Sequence, residues 1–396
     1  MFKPHEQLLS DLVSIDSINP ELATGGVGEQ AMAEYVSAWL TDHGVANYMH
    51  TVVPNRSNVI AKVPGTGGGK TLLLNGHMDT VGVSGYKNPH LPRIENGRMY
   101  GRGAYDMKCG VAACMLAMVE IAALRLRGDV IFTAVVDEEF AGAGTMDVAK
   151  RIHADAAIVT EPTELNLVIA HKGFVWADIE VHGRAAHGSR PQLGIDANAK
   201  LGHVLVAIEK LDHQMRVNPT HPLLGSGTIH SSKVHGGTEL SSIAGSALVQ
   251  IERRTIPGET VAFVTQELQA LLDECAQHDP EFSATLRTTL ALEPLETNVD
   301  EPIVQLILKH GAGVLGAKPE VTGVSFWTDA ASLAHAPLIV GGPGWTDAAS
   351  LDQVGITSVL FGPRGAGAHS TDEWVELESV RQCIEIYVAV AREYCA

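Results

Sequence analysis

Through its first 170 residues this chain alternates short, almost wholly apolar runs with longer helix-like stretches, and no other feature narrows its fold as far. The runs NVIAKV (58–63), TLLLNG (71–76), VIFTAVV (130–136) and AAIVT (156–160) read as strands, and residues 29–43 and 109–126 read as helices. Strands and helices in this order build an α/β domain around a largely parallel central sheet. Such a sheet gathers ligand groups in the loops beyond the carboxyl ends of its strands. The residues just past each strand therefore matter most.

From about Phe174 the pattern becomes strand, helix, two strands, helix, strand: FVWADIEVHG, residues 195–211, GTIHSSKVHGG, ALVQIERRTI, residues 259–276 and SATLRTTLAL. That order predicts a ferredoxin-like α+β unit with its own two-layer core, inserted into the first domain. Residues 1–173 and 293–396 would then form one body and residues 174–292 the other. A helix over about 376–394 closes the chain.

The chain carries 28 Lys and Arg against 46 Asp and Glu, a formal charge of −18, so its average surface repels nucleic acid and anionic lipid. Its 45% hydrophobic and 19% charged residues are those of an ordinary globular protein. The five cysteines are scattered without CxxC spacing, which predicts free thiols in a reducing compartment. The N-terminus interleaves charged and apolar residues, unlike a signal peptide, and no run approaches the roughly 18 apolar residues of a membrane span. A cytoplasmic protein without membrane or nucleic-acid partners is expected.

One heptapeptide, WTDAASL, occurs twice, at 327–333 and 345–351, each time followed by an apolar run and Gly-Pro. Two copies at so short a spacing make no solenoid; they mark a local tandem duplication.

Polar residues cluster where the strands stop. TLLLNG empties into His77-Met78-Asp79, placing an imidazole and a carboxylate two residues apart and, if extended, on one side of the backbone. Such a carboxylate can accept one imidazole N–H and aim the other nitrogen at a metal, although an isolated pair of this kind is more often an ordinary loop contact. Asp106, in GRGAYDMK, precedes a helix and taken alone is an N-cap. VIFTAVV ends in Asp137-Glu138-Glu139, three acids whose repulsion calls for a cation or for solvent. AAIVT ends in Glu161, and ITSVLF leads through GPRGAGAHS to His369. Together these imidazoles and carboxylates suit zinc, or cobalt or manganese, in a two-metal site with one bridging carboxylate.

Other chemistries find less support. GTGGGKT (65–71) lacks the glycine spacing of a phosphate-binding loop and leads into a strand, so it reads as a hairpin turn. There is no GxSxG and no obvious Cys–His setting, which leaves a covalent nucleophile without support. Phosphate-ester hydrolysis lacks the basic cluster a phosphoryl group needs.

The segments GHMDTV, GRGAYDMK, VVDEEFAGAGT, TEPT, AHKG, GRAAHGSRPQLG and the late AHS, in this order, resemble the zinc aminoacylase and carboxypeptidase superfamily that includes acetylornithine deacetylase, succinyl-diaminopimelate desuccinylase and glutamate carboxypeptidase. The likeness covers nearly the whole chain. It implies a catalytic domain holding two divalent metal ions, interrupted by a lid through which two copies form a homodimer. His77, Asp106 and Glu139 would surround one metal and Asp106, Glu161 and His369 the other, with Asp106 bridging. Glu138 would be the general base and Asp79 the group that orients His77. His187 would reach a partner subunit's site, and Arg254 would grip a substrate carboxylate. By themselves these two are a loop histidine and a surface cation at a strand end.

The implied reaction is hydrolysis of the amide bond of an N-acyl amino acid or small peptide. The rival is a metal-retaining binding or scaffold protein whose site the duplication has spoiled. Two departures bear on the substrate. Ser241-Ser242-Ile243-Ala244 stands where many relatives have Asn-x-Ile-Pro, and Phe326-Trp327-Thr328-Asp329, with Ala331, where the desuccinylase pattern has Gly-Thr-Ser-Asp followed by Arg. Both remove polar grips, favouring a smaller or more apolar acyl amino acid over a succinylated dicarboxylic one. Either copy of WTDAASL could fill the substrate loop.

Overall fold

The computed structural model describes residues 3–335 and 355–396. The first copy of the heptapeptide is therefore in view, whereas the second lies outside the described residues.

A nine-stranded sheet organises the larger body. Its order is Asn47–Val53, Arg56–Val63, Val130–Val135, Leu72–His77, Ala156–Val159, Thr357–Leu360, Leu167–His171 and Leu295–Glu296, with Val321–Val324 also pairing with Leu167–His171. The four strands from Val130–Val135 to Thr357–Leu360 run parallel. NVIAKV, by contrast, joins them antiparallel, so the sheet is mixed with a parallel centre. Leu72–His77 and Val130–Val135 are buried at every position, which requires cover on both faces. Leu72 and Leu74 face a core shared with the helices Lys108–Ala122 and Leu377–Tyr394, while Leu73 and Ile131 face another with the helix Ala330–Ala334. Gly110 lets the helix Lys108–Ala122 lie against the end of its neighbouring strand, because a Cβ there would fall 2.3 Å from the Thr160 carbonyl oxygen.

A second core is built only from residues between 175 and 291. Its strands order as Thr228–Gly236, Ser246–Thr255, Gly173–His182 and Ala284–Leu292, all antiparallel. The helices Ala197–Val217 and Val261–His278 cover one face. Their starts are fixed by side chains: the Asp196 carboxylate accepts from the Asn198 and Ala199 amides, and Thr260 from the Phe263 amide. This is the ferredoxin-like order expected from the sequence.

The hairpin expected at GTGGGKT is not formed. The strands on either side of this loop, Arg56–Val63 and Leu72–His77, are not neighbours; Val130–Val135 lies between them. Residues 126–129 run alongside instead, Leu126 and Arg127 accepting from the Thr66 and Gly67 amides and the Asp129 carboxylate from the Gly65 amide. Here glycine serves close packing, since a Cβ at Gly128 would sit 1.8 Å from the Lys70 carbonyl oxygen.

All five cysteines are unpaired. No helix among the described residues is long and apolar enough to cross a membrane.

Candidate metal centre

The parallel strands end level with one another. Asn75 pairs with Thr133 and with Val159, and Val159 with Leu360, so the residues just beyond emerge along one edge. His77 is the last residue of its strand and is buried. Its Nε2 lies 3.3 Å from Asp106 Oδ1, 3.6 Å from Glu161 Oε1 and 3.7 Å from Glu138 Oε2. His369 Nε2 lies 3.2 Å from Asp106 Oδ2 and 3.0 Å from Glu139 Oε2. Asp106 thus stands between two imidazoles, one oxygen toward each. It does not cap the next helix, which starts at Lys108 with no side-chain cap; the Asp106 carboxylate turns into the cluster instead.

All five proposed ligands and Glu138 therefore converge. Ligand atoms of His77, Asp106 and Glu139 lie within 4.8 Å of one another, and so do those of His77, Glu138 and Glu161. The shortest approaches, however, bring Glu161 to His77 and Glu139 to His369. The expected grouping of His77, Asp106 and Glu139 is thus within ligand reach, while Glu161 approaches His77, whose strand is its neighbour, more closely than was expected.

Asp79 does more than was expected of it. The nearer partner of His77 Nδ1 is the Asp79 carbonyl oxygen at 3.0 Å, with the carboxylate at 3.5 Å. The Asp79 carboxylate mainly fixes the turn after Val130–Val135: it accepts the Glu138 and Glu139 amides, each at 3.1 Å, and Asn19 Nδ2 at 2.8 Å. Asn19 also reaches Asp137, at 3.1 Å, which adopts a left-handed φ of 69°. Arg56 spans Asp137, at 2.9 Å, and Glu29, at 2.6 and 2.7 Å. Across the cluster, Glu373 accepts the backbone N–H groups of Gly103, Tyr105 and Asp106 and a bond from Arg102, shaping the Asp106 loop.

Asn19, Glu29, Arg56, Thr145 and Glu373 went unnoticed in the sequence. They belong to no motif with ligand spacing; their role is visible only once segments far apart in the chain meet. Asp329 was noticed, in the repeated heptapeptide and at the position of the desuccinylase Gly-Thr-Ser-Asp pattern, but without a role.

So many acids in one place carry an electrostatic consequence. Burial, followed by neighbouring charges, raises the Glu138 carboxyl well above the usual range, Glu139 to about 7, Glu161 to about 8 and Asp329 to about 7. Burial opposes the charge on Asp106 too, yet bonds from His369 and His77 hold it well below. The His369 imidazole is raised to about 10 by Asp106 and Glu139. The cluster retains protons where it would otherwise hold excess negative charge, and divalent cations satisfy the same demand. The donor set of imidazoles and carboxylates fits them, and Glu139 Oε1 is buried without a hydrogen-bond partner among the described residues.

His187 and Arg254 stay outside the cluster. His187 is exposed and its Nδ1 accepts from Ser189, Oγ at 2.8 Å. Arg254 bonds Glu252 on its own strand, at 2.8 and 3.3 Å, with its guanidinium 5.2 Å from the Phe174 ring centre. A cleft of about 570 Å³ opens beside His369, lined by Leu22, Thr24, Ser84, Arg102 and Thr371.

Comparison with known proteins finds relatives over nearly the whole chain. Acetylornithine deacetylase of Myxococcus xanthus is 27% identical over 402 residues, covering 98% of this chain and 96% of that protein. Aminopeptidase PepT of Bacillus cereus superposes with a TM-score of 0.77 at 18% identity, over 99% of this chain and 98% of the other. YXEP of Bacillus subtilis, described as a dinuclear metal binding peptidase from the M20 family, superposes with a TM-score of 0.72 at 14% identity, over 99% and 97%. The model of peptidase family M20/M25/M40 matches residues 73–344 and 333–393, two segments that overlap between the copies of WTDAASL. With most of its length matched by that model, the chain belongs to peptidase family M20/M25/M40.

Proposed function

We propose that this enzyme hydrolyses the amide bond of N-acyl amino acids or small peptides, using two divalent metal ions, zinc by preference with cobalt or manganese as substitutes. His77, Asp106 and Glu161 would hold one ion and Asp106, Glu139 and His369 the other. The observation that carries this reading is the convergence of His77, Asp106, Glu138, Glu139, Glu161 and His369 at one sheet edge. Bound at such a donor set, divalent ions supply acidification of water and polarisation of a carbonyl.

The remaining chemistry falls to the chain itself. Glu138 takes the proton of the attacking water and returns it to the departing amine; burial, which raises its carboxyl, makes it the stronger acceptor in the first of these transfers. Asp79 keeps that carboxylate aimed by holding its backbone amide. Residues 174–292 act as lid and as the surface of a homodimer, His187 steadies the developing oxyanion in a partner subunit's site, and Arg254 exchanges Glu252 for a substrate carboxylate. With Trp327 and Ala331 where a second cationic clamp would be needed, the acyl group is small or apolar. Five unpaired thiols support a reducing, cytoplasmic setting.

The test is metal analysis together with amine release from a panel of N-acyl amino acids and dipeptides, including one phosphate ester. Hydrolysis of the amides is expected, together with its loss in Glu138→Ala at retained metal content. A metal-loaded wild-type protein inert to the whole panel would favour the scaffold reading.

A further inference from the structure

Asp329 is buried, with 1% of its surface exposed, yet the mechanism above does not use it. Its Oδ2 accepts the Thr145 hydroxyl at 2.7 Å. Thr145 has one hydroxyl hydrogen, and since its oxygen also receives Asn75 Nδ2 at 3.2 Å, that hydrogen is committed to Asp329. Thr145 lies in the first turn of the helix Ala143–Arg151, immediately after the turn that carries Glu138 and Glu139. That turn closes on itself through the Ala141 and Gly142 amides, which donate to the Asp137 carbonyl at 3.1 and 2.6 Å, and the Gly144 amide donates to Val136 at 3.1 Å.

The first heptapeptide copy lies directly on this turn. A Cβ built on Gly142, whose φ is +68°, would fall 2.9 Å from the Trp327 ring and 3.3 Å from Asp329 Oδ1. Trp327 is braced in turn by the rings of Phe174 and His171, with centroids 6.4 and 6.5 Å away. Every residue from Thr328 to Leu333 is buried.

We propose that Asp329 is a positioning residue: through Thr145 it clamps the outer side of the turn whose inner side Asp79 holds, and the first copy of WTDAASL, not the second, performs this task. The kinetic part of the claim rests on the hydrolase reading; the structural part does not. The duplication thus left the working loop in place, with its second copy downstream.

The test compares Asp329→Ala and Thr145→Val with the matched change in the second copy, Asp347→Ala, all in the full chain. Hydrogen exchange of peptides spanning 136–146 should quicken about tenfold in the first two and stay at the wild-type rate in the third. With an N-acyl amino acid that the wild type hydrolyses, kcat should fall about tenfold with KM within about twofold, and the double variant Asp329→Ala/Thr145→Val should lose no more than either single one. Asp329→Asn, whose amide oxygen accepts the same hydroxyl, and Thr145→Ser should restore wild-type exchange and turnover. If Asp329→Ala loses protection throughout the chain, Thr145→Val decides, since it removes only the hydroxyl. Wild-type exchange at 136–146 in Thr145→Val, or equal effects of Asp347→Ala and Asp329→Ala, would overturn the proposal. Absence of wild-type hydrolysis would instead count against the hydrolase reading and leave the exchange result standing.

Discussion

The two sheets of this molecule treat their polar side chains in opposite ways. At the carboxyl edge of the nine-stranded sheet, imidazoles and carboxylates from five separate segments are drawn inward until they touch one another. On the four-stranded sheet and its loops, the Arg254 side chain hydrogen-bonds a neighbour on its own strand and His187 a serine two residues away. The first sheet thus gathers the residues proposed to hold metal within reach of one another, whereas those proposed to grip substrate keep to local partners. The contrast stems from connection: strands that end in register force their loops together, while the four-stranded sheet builds a core of its own.

The sharpest way to break this contrast is to cripple each half in turn. Glu138→Ala should lower kcat by about 10²–10⁴ while leaving the metal content of the protein unchanged by elemental analysis. Comparable turnover in the variant would take the first sheet out of the chemistry.

Next in size is a pH effect that only the crowded sheet edge should show. Without metal, Glu161 holds its proton up to about pH 8 and His369 up to about pH 10, and both must ionise or deprotonate to act as ligands. Apparent metal affinity should thus rise with pH, changing about tenfold per unit between pH 6 and 8 for each proton displaced. Calorimetry in buffers of different ionisation enthalpy should register proton release. A flat profile would mean that the cluster binds no ion through these groups.

Arg254→Ala should act on the other half alone, raising KM about tenfold with kcat little changed, as expected for loss of one charged hydrogen bond to substrate. A fall in kcat at constant KM would place Arg254 with the reacting atoms and blur the division. The smallest effect concerns the turn that carries Glu138 and Glu139. Gly142→Ala, at a positive φ and against the Trp327 ring, should lower stability by about 1–3 kcal/mol in denaturant unfolding.

The same contrast explains how much could be read from the residues alone. Alternating strand and helix patterns located the parallel centre of the large sheet and the strand order of the inserted unit, because burial on both faces and on one face leave different periodicities. The ligands were legible because each comes after a strand. Which ligands pair was not, since that depends on strand order: Glu161 meets His77 because Ala156–Val159 lies beside Leu72–His77, a fact of topology that motif order does not encode. The loop at 65–71 was misread as a hairpin for the same reason. Asn19, Arg56 and Glu29 were invisible because a buried polar network has no period; its members meet across 27 positions of chain at the nearest, from Arg56 to Glu29, and 118 at the farthest, from Asn19 to Asp137.

Glu373 makes the cluster depend on the continuity of the chain. It sits four positions past His369 and braces the loop of Asp106, 267 positions upstream. A fragment cut ahead of residue 369 would lack one imidazole and also the strut that shapes the Asp106 loop. Ion binding at the proposed centre would therefore respond to a break anywhere between positions 106 and 373, even one that spares every proposed ligand.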